Sequence, residues 1–503
     1  RHPRVLAPRP RAVLRLEQWC TAALARPVEQ PAIEFERRWH SWGELSHVAR
    51  KVEALIEACG APADAKVALI ARNHPAVIAA LLGLLAQGRS IRMVYAFQSA
   101  TALAAELTRI DADIAIGQEQ DLPPSVRNAL DACGTIALAL KDMDADAVSA
   151  ATRSRVRSGN RSQPANNRVI QILTSGTTGP PKPFAIDYDL IARHFLGGPV
   201  VEQSEAPPAL LYFPLGNITG IYSMLPTLLR GQRAVLLERF SVAGWHDHLL
   251  RYRPEAGGLP PDGVRMVLDA GIPPADLACL RRIGTGAAPL DPTVQREFER
   301  RYKVPILLSY GATEFGGPVT AMTLDLHPDW GERKLGSVGR PLPGAQLQVI
   351  DPQTRAVLPA GVEGVLEVIS PRIGTTWIRT SDLAVIDEDG FVFLRGRSDG
   401  AIMRGGFKLL PETIERVLIL HPSISAAAVI GIADTRLSQV PAAAIQLKPG
   451  APIPSPAELD GHVREHLPAT HVPTRWRVVE ELPRTPSFKI SRPALRELFE
   501  SDS

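Results

Sequence analysis

Lysine is scarce in this chain. Of its 56 basic residues, only Lys51, Lys66, Lys141, Lys182, Lys303, Lys334, Lys408, Lys448 and Lys489 are lysines, and arginine supplies the rest. A lysine is a point charge on a flexible stem, so one inside a recognisable loop is a candidate for chemistry. Cysteine is also rare. Cys20, Cys59, Cys133 and Cys279 are far apart and form no CxxC pair, which argues against a disulfide framework or a cysteine zinc site and for thiols in a reducing cytoplasm. No long apolar run is present: Ala76–Ala86 falls short of the ~20 residues of a membrane helix. Neither sign of charge dominates. A net charge of +3, with 53 acidic residues, gives no basic field for nucleic acid. The basic start Arg1-His2-Pro3-Arg4 precedes no apolar segment and does not read as a secretory signal; without an initiator Met it reads as truncated or trimmed. The expected location is cytoplasmic.

What is present fits a globular enzyme. The 503 residues, 45% hydrophobic and 22% charged, suit two to four domains. Ser46–Cys59 has helical apolar spacing, Lys66–Ile70 reads as a strand, and Asn73-His74-Pro75 reads as the start of a helix over Ala76–Ala86. This alternation, repeated over Pro208–Leu250, predicts βαβ units and a mostly parallel sheet. Residues 152–168 read as an exposed loop leading into the strand Val169–Leu173. Short β-rich runs at Gln346–Ile350, Gly364–Ile369 and Phe391–Leu394 predict a small antiparallel sheet or barrel. The expected fold class is α/β: a large N-terminal domain of αβ-layered subdomains with a small β-barrel-like subdomain, then a small mobile α+β C-terminal domain. The boundary is set at 1–395 and 396–503.

The densest local pattern is Thr174-Ser175-Gly176-Thr177-Thr178-Gly179-Pro180-Pro181-Lys182, directly after an expected strand. Hydroxyls, glycines and one lysine can wrap an anion closely. It lacks the GK[ST] of a Walker A loop, and on composition alone a surface turn stays open. Further along come Gly284-Thr285-Gly286-Ala287-Ala288-Pro289-Leu290, Tyr310-Gly311-Ala312-Thr313-Glu314, Arg379-Thr380-Ser381-Asp382, Gly396-Arg397-Ser398-Asp399 and Leu482-Pro483-Arg484-Thr485-Pro486-Ser487-Phe488-Lys489. Gly284–Ala288 is a poor dinucleotide fingerprint, because Pro289 stands where its third glycine belongs.

These six segments, in this order over about residues 30 to 497, resemble the adenylate-forming superfamily of acyl- and aryl-CoA synthetases, peptide-synthetase adenylation domains and luciferases. The resemblance implies that Thr174, Ser175, Gly176, Thr177, Thr178, Gly179 and Lys182 hold ATP phosphates. It places Gly286, Ala287, Ala288, Tyr310 and Gly311 beside adenine, and Asp382 and Arg397 on the ribose. Thr313 would donate to a phosphate oxygen, Glu314 would hold Mg²⁺, and Lys489 would bridge carboxylate and phosphate. Asp399 would be the hinge on which the small domain rotates. Gly216, Asn217, Gly220 and Gly316 match the acyl-pocket region and, with Gly286, Gly311 and Gly317, suggest a roomy channel.

Four departures stand out. Pro183 follows the loop lysine where Gly is usual, Gly216-Asn217 replaces a common aromatic-His pair, Met403 takes a position often held by Lys, and Phe488 precedes Lys489 in place of Gly. Met403 and Phe488 fall in the small domain, so adenylation is expected intact and the acceptor step is less fixed. The reading is an acid–CoA ligase: a carboxylate and ATP give an acyl-adenylate and pyrophosphate, then CoA displaces AMP. The second enzyme reading passes the acyl group to a carrier-protein thiol or an amine. A nucleotide sensor without turnover is the third, and it needs neither Glu314 nor Lys489. The expected partners are a small carboxylic acid with CoA or a carrier protein, and neither nucleic acid nor a membrane span.

Overall fold

A computed structural model describes residues 14–62, 64–148, 168–174, 182–197, 205–404, 407–434, 436–485 and 489–500. By internal contacts the chain falls into two units, Arg1–Leu173 with Pro183–Phe240, and Thr174–Lys182 with Ser241–Ser503.

The first unit is built on a seven-stranded sheet in the order Asp144–Ala147, Ile136–Lys141, Ile114–Gln118, Val67–Ala71, Ile91–Tyr95, Val169–Thr174, Lys182–Asp187. Its central pairs are parallel. Parallel strands covered on both faces read as unbroken apolar runs, as Val67–Ala71 does, being buried throughout. The covering helix Pro75–Ala86 is buried over nearly all of its length, which explains a sequence apolar on every side. Pro75 occupies its first turn and the His74 side chain accepts from the Ala76 amide, as expected of that start. Helix Trp42–Ala58 begins four residues before the apolar spacing does. The Ser41 hydroxyl accepts from the Glu44 amide while the Glu44 carboxylate accepts from the Ser41 amide, a reciprocal cap that fixes the start. A second sheet runs Ala209–Leu211, Ala234–Leu236, Pro31–Phe35, Arg38–Ser41.

The second unit begins with Ala256–Gly258, Arg282–Thr285 and Ile306–Ala312 as parallel neighbours, continued antiparallel by Gly317–Ala321 and Arg340–Pro341. Next is a four-stranded antiparallel meander, Gln346–Ile350, Gly364–Ile369, Ile378–Ile386 and Val392–Arg397. Its first two strands have the bounds that the sequence predicts.

The tail is α+β. Antiparallel strands Ile424–Asp434 and Ser438–Leu447 form its centre, with Arg475–Val479 added in parallel. One sheet face packs Ile414, Leu418, Leu459 and Val463 from helices Pro411–Ile419 and Pro456–His466. The other packs Leu495 and Phe499 from helix Arg492–Glu500. Each such buried side chain contributes about 1.5–3 kcal/mol, so both faces hold helices in place and the position of Lys489 is tied to this sheet.

Candidate active site

The expected nucleotide motifs meet at strand ends of the second unit. Strand Ile306–Ala312 carries Tyr310 and ends at the single turn Thr313–Phe315. The fold brings Gly311 so close to the neighbouring strand that a Cβ there would sit 2.5 Å from both the Gly317 carbonyl oxygen and the Pro318 Cα, so the site admits only glycine without backbone movement. Gly286 is tight for a similar reason: a Cβ would lie 2.6 Å from the Ser309 hydroxyl, which donates to the Thr285 carbonyl. Ala287 has a left-handed φ of 69°, unusual for a residue with a Cβ, and Ala288 follows it in the same loop. Beside these, Thr285 Oγ1 is buried without a hydrogen-bond partner among the described residues. A buried hydroxyl in that condition is a ready contact for a polar group brought from outside.

Tyr310 is buried, and its phenol donates to Asp382 at 2.5 Å. Burial pushes the Tyr310 pKa well up, and the Asp382 charge pushes it further, so the phenol stays a donor. Asp382 lies directly across the meander from Arg397, whose guanidinium is 3.6 Å from the carboxylate and also donates to the Ser381 hydroxyl. A bulge between Leu383 and Ala384 lies just beyond this pair. The Ser398 hydroxyl donates to the Ser381 carbonyl, which ties the segment after Arg397 to the same strand.

Thr313 is half-buried and Glu314 is exposed at the end of strand Ile306–Ala312. Lys489 joins the group electrostatically. Desolvation and then the Arg397 charge lower its pKa, while Asp382 and Glu314 oppose the shift. The lysine keeps an exposed surface, so its amine is crowded by protein and still open to solvent. Its backbone is fixed by Thr485, which donates its amide to the Lys489 carbonyl at 2.6 Å and accepts the Lys489 amide on its hydroxyl. Arg484, one residue earlier, pairs with Asp262 at the first turn of helix Pro261–Asp269.

Thus Tyr310, Glu314, Asp382, Arg397 and Lys489 come together, with Gly311 in the adjoining sheet and Gly286 just past the end of strand Arg282–Thr285. Thr174 closes one strand and Lys182 opens another, whereas Ser175, Gly176, Thr177, Thr178 and Gly179 lie outside the described residues, as does Phe488. Asp399 is in the single turn Ser398–Gly400. Gly316 has a left-handed φ of 66° and closes the turn after Glu314. In the first unit, Gly216, Asn217 and Gly220 sit together at the start of helix Ile218–Leu229, where the Asn217 side chain accepts from the Gly220 amide at 2.8 Å. A Cβ on Gly220 would fall 2.0 Å from the Pro214 carbonyl oxygen, so the turn itself requires that glycine. Sequence reasoning gave no role to Ser309, Asp262 or Arg484. Arg484 lies in a noticed segment, but an acid in a first helical turn, like Asp262, ordinarily signals only the helix dipole.

The first unit holds a cavity of about 330 Å³ lined by Arg72, Phe97, Gln98, Gln120 and Arg239 among others. The guanidinium carbons of Arg72 and Arg239 lie 4.4 and 3.8 Å from the Phe97 ring centroid. Arg72 is buried and donates twice to Asp121, at 2.9 and 2.5 Å, and once to Glu238. None of these residues was singled out from sequence.

The sequence model of AMP-binding enzyme matches residues 20–376, and that of the AMP-binding enzyme C-terminal domain matches residues 413–489. A fatty acid–[acyl-carrier-protein] ligase of Streptomyces coeruleorubidus is 28% identical over 358 residues, 67% of this chain and 68% of that protein. A 4-coumarate–CoA ligase-like protein of Oryza sativa is 32% identical over 340 residues, 64% of this chain and 60% of that one. The crystal structure of ATP-bound MatB from Rhodopseudomonas palustris shares the fold with a TM-score of 0.77 at 22% identity, over 97% of this chain and 100% of that one. With matches covering both the body that carries Tyr310 and the tail that carries Lys489, the chain belongs to the AMP-binding enzyme family of adenylate-forming enzymes.

Proposed function

We propose that this protein is an AMP-forming acid–CoA ligase, which activates a carboxylic acid with ATP and transfers the acyl group to CoA. The observation that carries the proposal is the grouping of Lys489 with Glu314 and the Tyr310–Asp382–Arg397 set. Asp382 accepts from ribose hydroxyls and Arg397 holds it in place. Tyr310 lies against the base, with Thr285 Oγ1 as a polar contact for it. The acid oxygen attacks the α-phosphorus, the bond to the bridging oxygen breaks, and pyrophosphate leaves with the electron pair. Negative charge crowds on the phosphate and carboxylate oxygens at that moment, and the Lys489 ammonium stabilises it. Thr313 donates to a phosphate oxygen. Glu314, a hard oxygen donor open to solvent, fits Mg²⁺ and would hold it. When bound, the ion supplies charge neutralisation on the triphosphate.

In the second step a thiol sulfur forms a bond to the acyl carbon, the bond from that carbon to the phosphate oxygen breaks, AMP leaves with the electron pair, and the thiol proton passes to solvent. We assign the movement that clears Lys489 to residues 396–503 turning about Asp399 against residues 1–395. The ligase of fatty acids to a carrier protein supports the second reading, transfer to a carrier-protein thiol or to an amine. Four free cysteines fit a cytoplasmic location, and among the described residues no helix is long and apolar enough to cross a membrane.

The test is pyrophosphate release over short, long-chain and aryl acids, with and without CoA. Release with one acid class and acyl-CoA in the product supports the ligase. Release without acyl-CoA moves the acceptor to a carrier protein or amine, and no release with any acid ends the enzyme reading.

A further inference from the structure

The last turn of helix Pro456–His466 carries His462, Glu465 and His466, three residues that the adenylation chemistry leaves unused. One nitrogen from each ring and one Glu465 carboxylate oxygen all lie within 4.8 Å of one another. Positions three and four apart fall on one helix face, so the helix itself gathers the three donors. The rings are also set in their tautomers. His462 Nε2 is 2.8 Å from the Val417 carbonyl oxygen, and His466 Nδ1 is 2.9 Å from the His462 carbonyl oxygen. A carbonyl oxygen only accepts, so both nitrogens carry the proton, and the lone pairs are on His462 Nδ1 and His466 Nε2. A carbonyl behind an imidazole is the usual outer support of a metal-bound histidine.

Two further features favour a cation here. The site is at a helix C-terminus, where the backbone carbonyls make the potential negative. The ring of His421 packs edge-on against His462 at 5.1 Å, and His421 Nε2 is 3.4 Å from Glu458, so a second carboxylate stands nearby.

We propose that His462, Glu465 and His466 form a site for one divalent transition metal ion of the zinc class. Two imidazoles and one carboxylate match zinc, whereas magnesium and calcium prefer oxygen donors. A tetrahedral zinc site has donors ~3.3 Å apart. Glu465 is exposed and has the rotamer freedom to close the present spread onto the two carbonyl-held rings. Water completes the coordination. Because His462 reaches Val417 near the end of helix Pro411–Ile419, the bound ion braces two helices packed on one face of the tail's sheet. The inference does not depend on the reaction proposed above.

The test uses the full chain without a polyhistidine tag. Zinc sulfate is titrated calorimetrically, magnesium sulfate serves as control, and thermal unfolding is followed with and without zinc. One equivalent of zinc is expected to bind and raise the unfolding temperature, and magnesium to do neither. His466→Ala, at an exposed position, should weaken zinc binding at least tenfold and abolish the thermal shift while leaving pyrophosphate release unchanged. His462→Ala should do the same where it folds; His466→Ala is the deciding variant, since its exposed side chain can be removed without disturbing the helix packing. No saturable zinc binding, or an unchanged isotherm in His466→Ala, overturns the proposal.

Discussion

Arg484 and Asp262, 222 residues apart in the chain, form an ion pair that holds the segment before Lys489 against helix Pro261–Asp269. Burial raises the Asp262 pKa, and the Arg484 guanidinium opposes that rise. Since 46% of the Asp262 side chain is exposed, the pair is a modest latch. Asp262→Asn is predicted to slow acyl-adenylate formation about three- to tenfold. Thioester formation from preformed acyl-adenylate should be unaffected. Exchanging the two residues should restore part of the loss, as pre-steady-state pyrophosphate release will show.

Asp382 and Tyr310 should separate in their effects on nucleotide binding. Asp382→Ala removes the proposed ribose acceptor and leaves the buried Tyr310 hydroxyl without its partner, so KM for ATP should rise at least about tenfold. Tyr310→Phe keeps the ring and loses one hydrogen bond, with an expected change of about two- to fivefold. Equal effects in steady-state kinetics would contradict the division of roles.

The alkaline limb of kcat/KM reports the free enzyme. In the proposed mechanism Lys489 acts as its ammonium, and its pKa lies below the ordinary 10.5, so activity should fall at lower pH than for an unperturbed lysine. Arg397 contributes to that lowering. Arg397→Gln, though weaker in ATP binding, should therefore move the limb to higher pH. A limb that stays in place would remove either Lys489 or the Arg397 field from the account.

Stability has its own pH signature at Glu415, which accepts from the Val429 amide on helix Pro411–Ile419's inner side. Burial, with repulsion from Glu412, pushes its carboxyl up to about 7 from 4.5. The folded protein thus binds this proton more tightly than the unfolded chain, and stability drops as pH rises through that window. Glu415→Gln should leave the unfolding temperature unchanged below the window and stabilise by about 1–3 kcal/mol above it. Thermal unfolding across the pH range checks this.

Gly311→Ala should destabilise by about 1–3 kcal/mol, because a Cβ there meets backbone and not a movable side chain. Nucleotide binding should weaken with it. A variant as stable and active as the parent would show that the strand end relaxes.

Local grammar was legible where local physics decides. Pro75 starts its helix, the apolar run Val67–Ala71 is a covered parallel strand, and the β-rich runs after Gln346 form an antiparallel meander. The helix at Trp42 was expected four residues late because its start is set by the Ser41–Glu44 cap and not by apolar spacing. The grouping of Tyr310, Asp382, Arg397 and Lys489 was readable only through a family resemblance, since no spacing rule brings them together. Partners such as Asp262, Ser309 and the Arg72–Phe97–Arg239 stack left no mark in sequence, because they are made by strands and helices that meet only after folding.

Arg397 has two neighbours of different kinds. Across the ladder it faces Asp382, and along the chain it adjoins the turn Ser398–Gly400. Arg492 donates to the Gly400 carbonyl and to Glu412, so the far side of that turn is moored to the tail. The turn Ser398–Gly400 thus has Arg397, paired with Asp382, on one side and the Arg492–Glu412 contact of the tail on the other. In the proposed function, a nucleotide on Asp382 and Arg397 would therefore sit three residues from the point where Arg492 ties the chain to the tail.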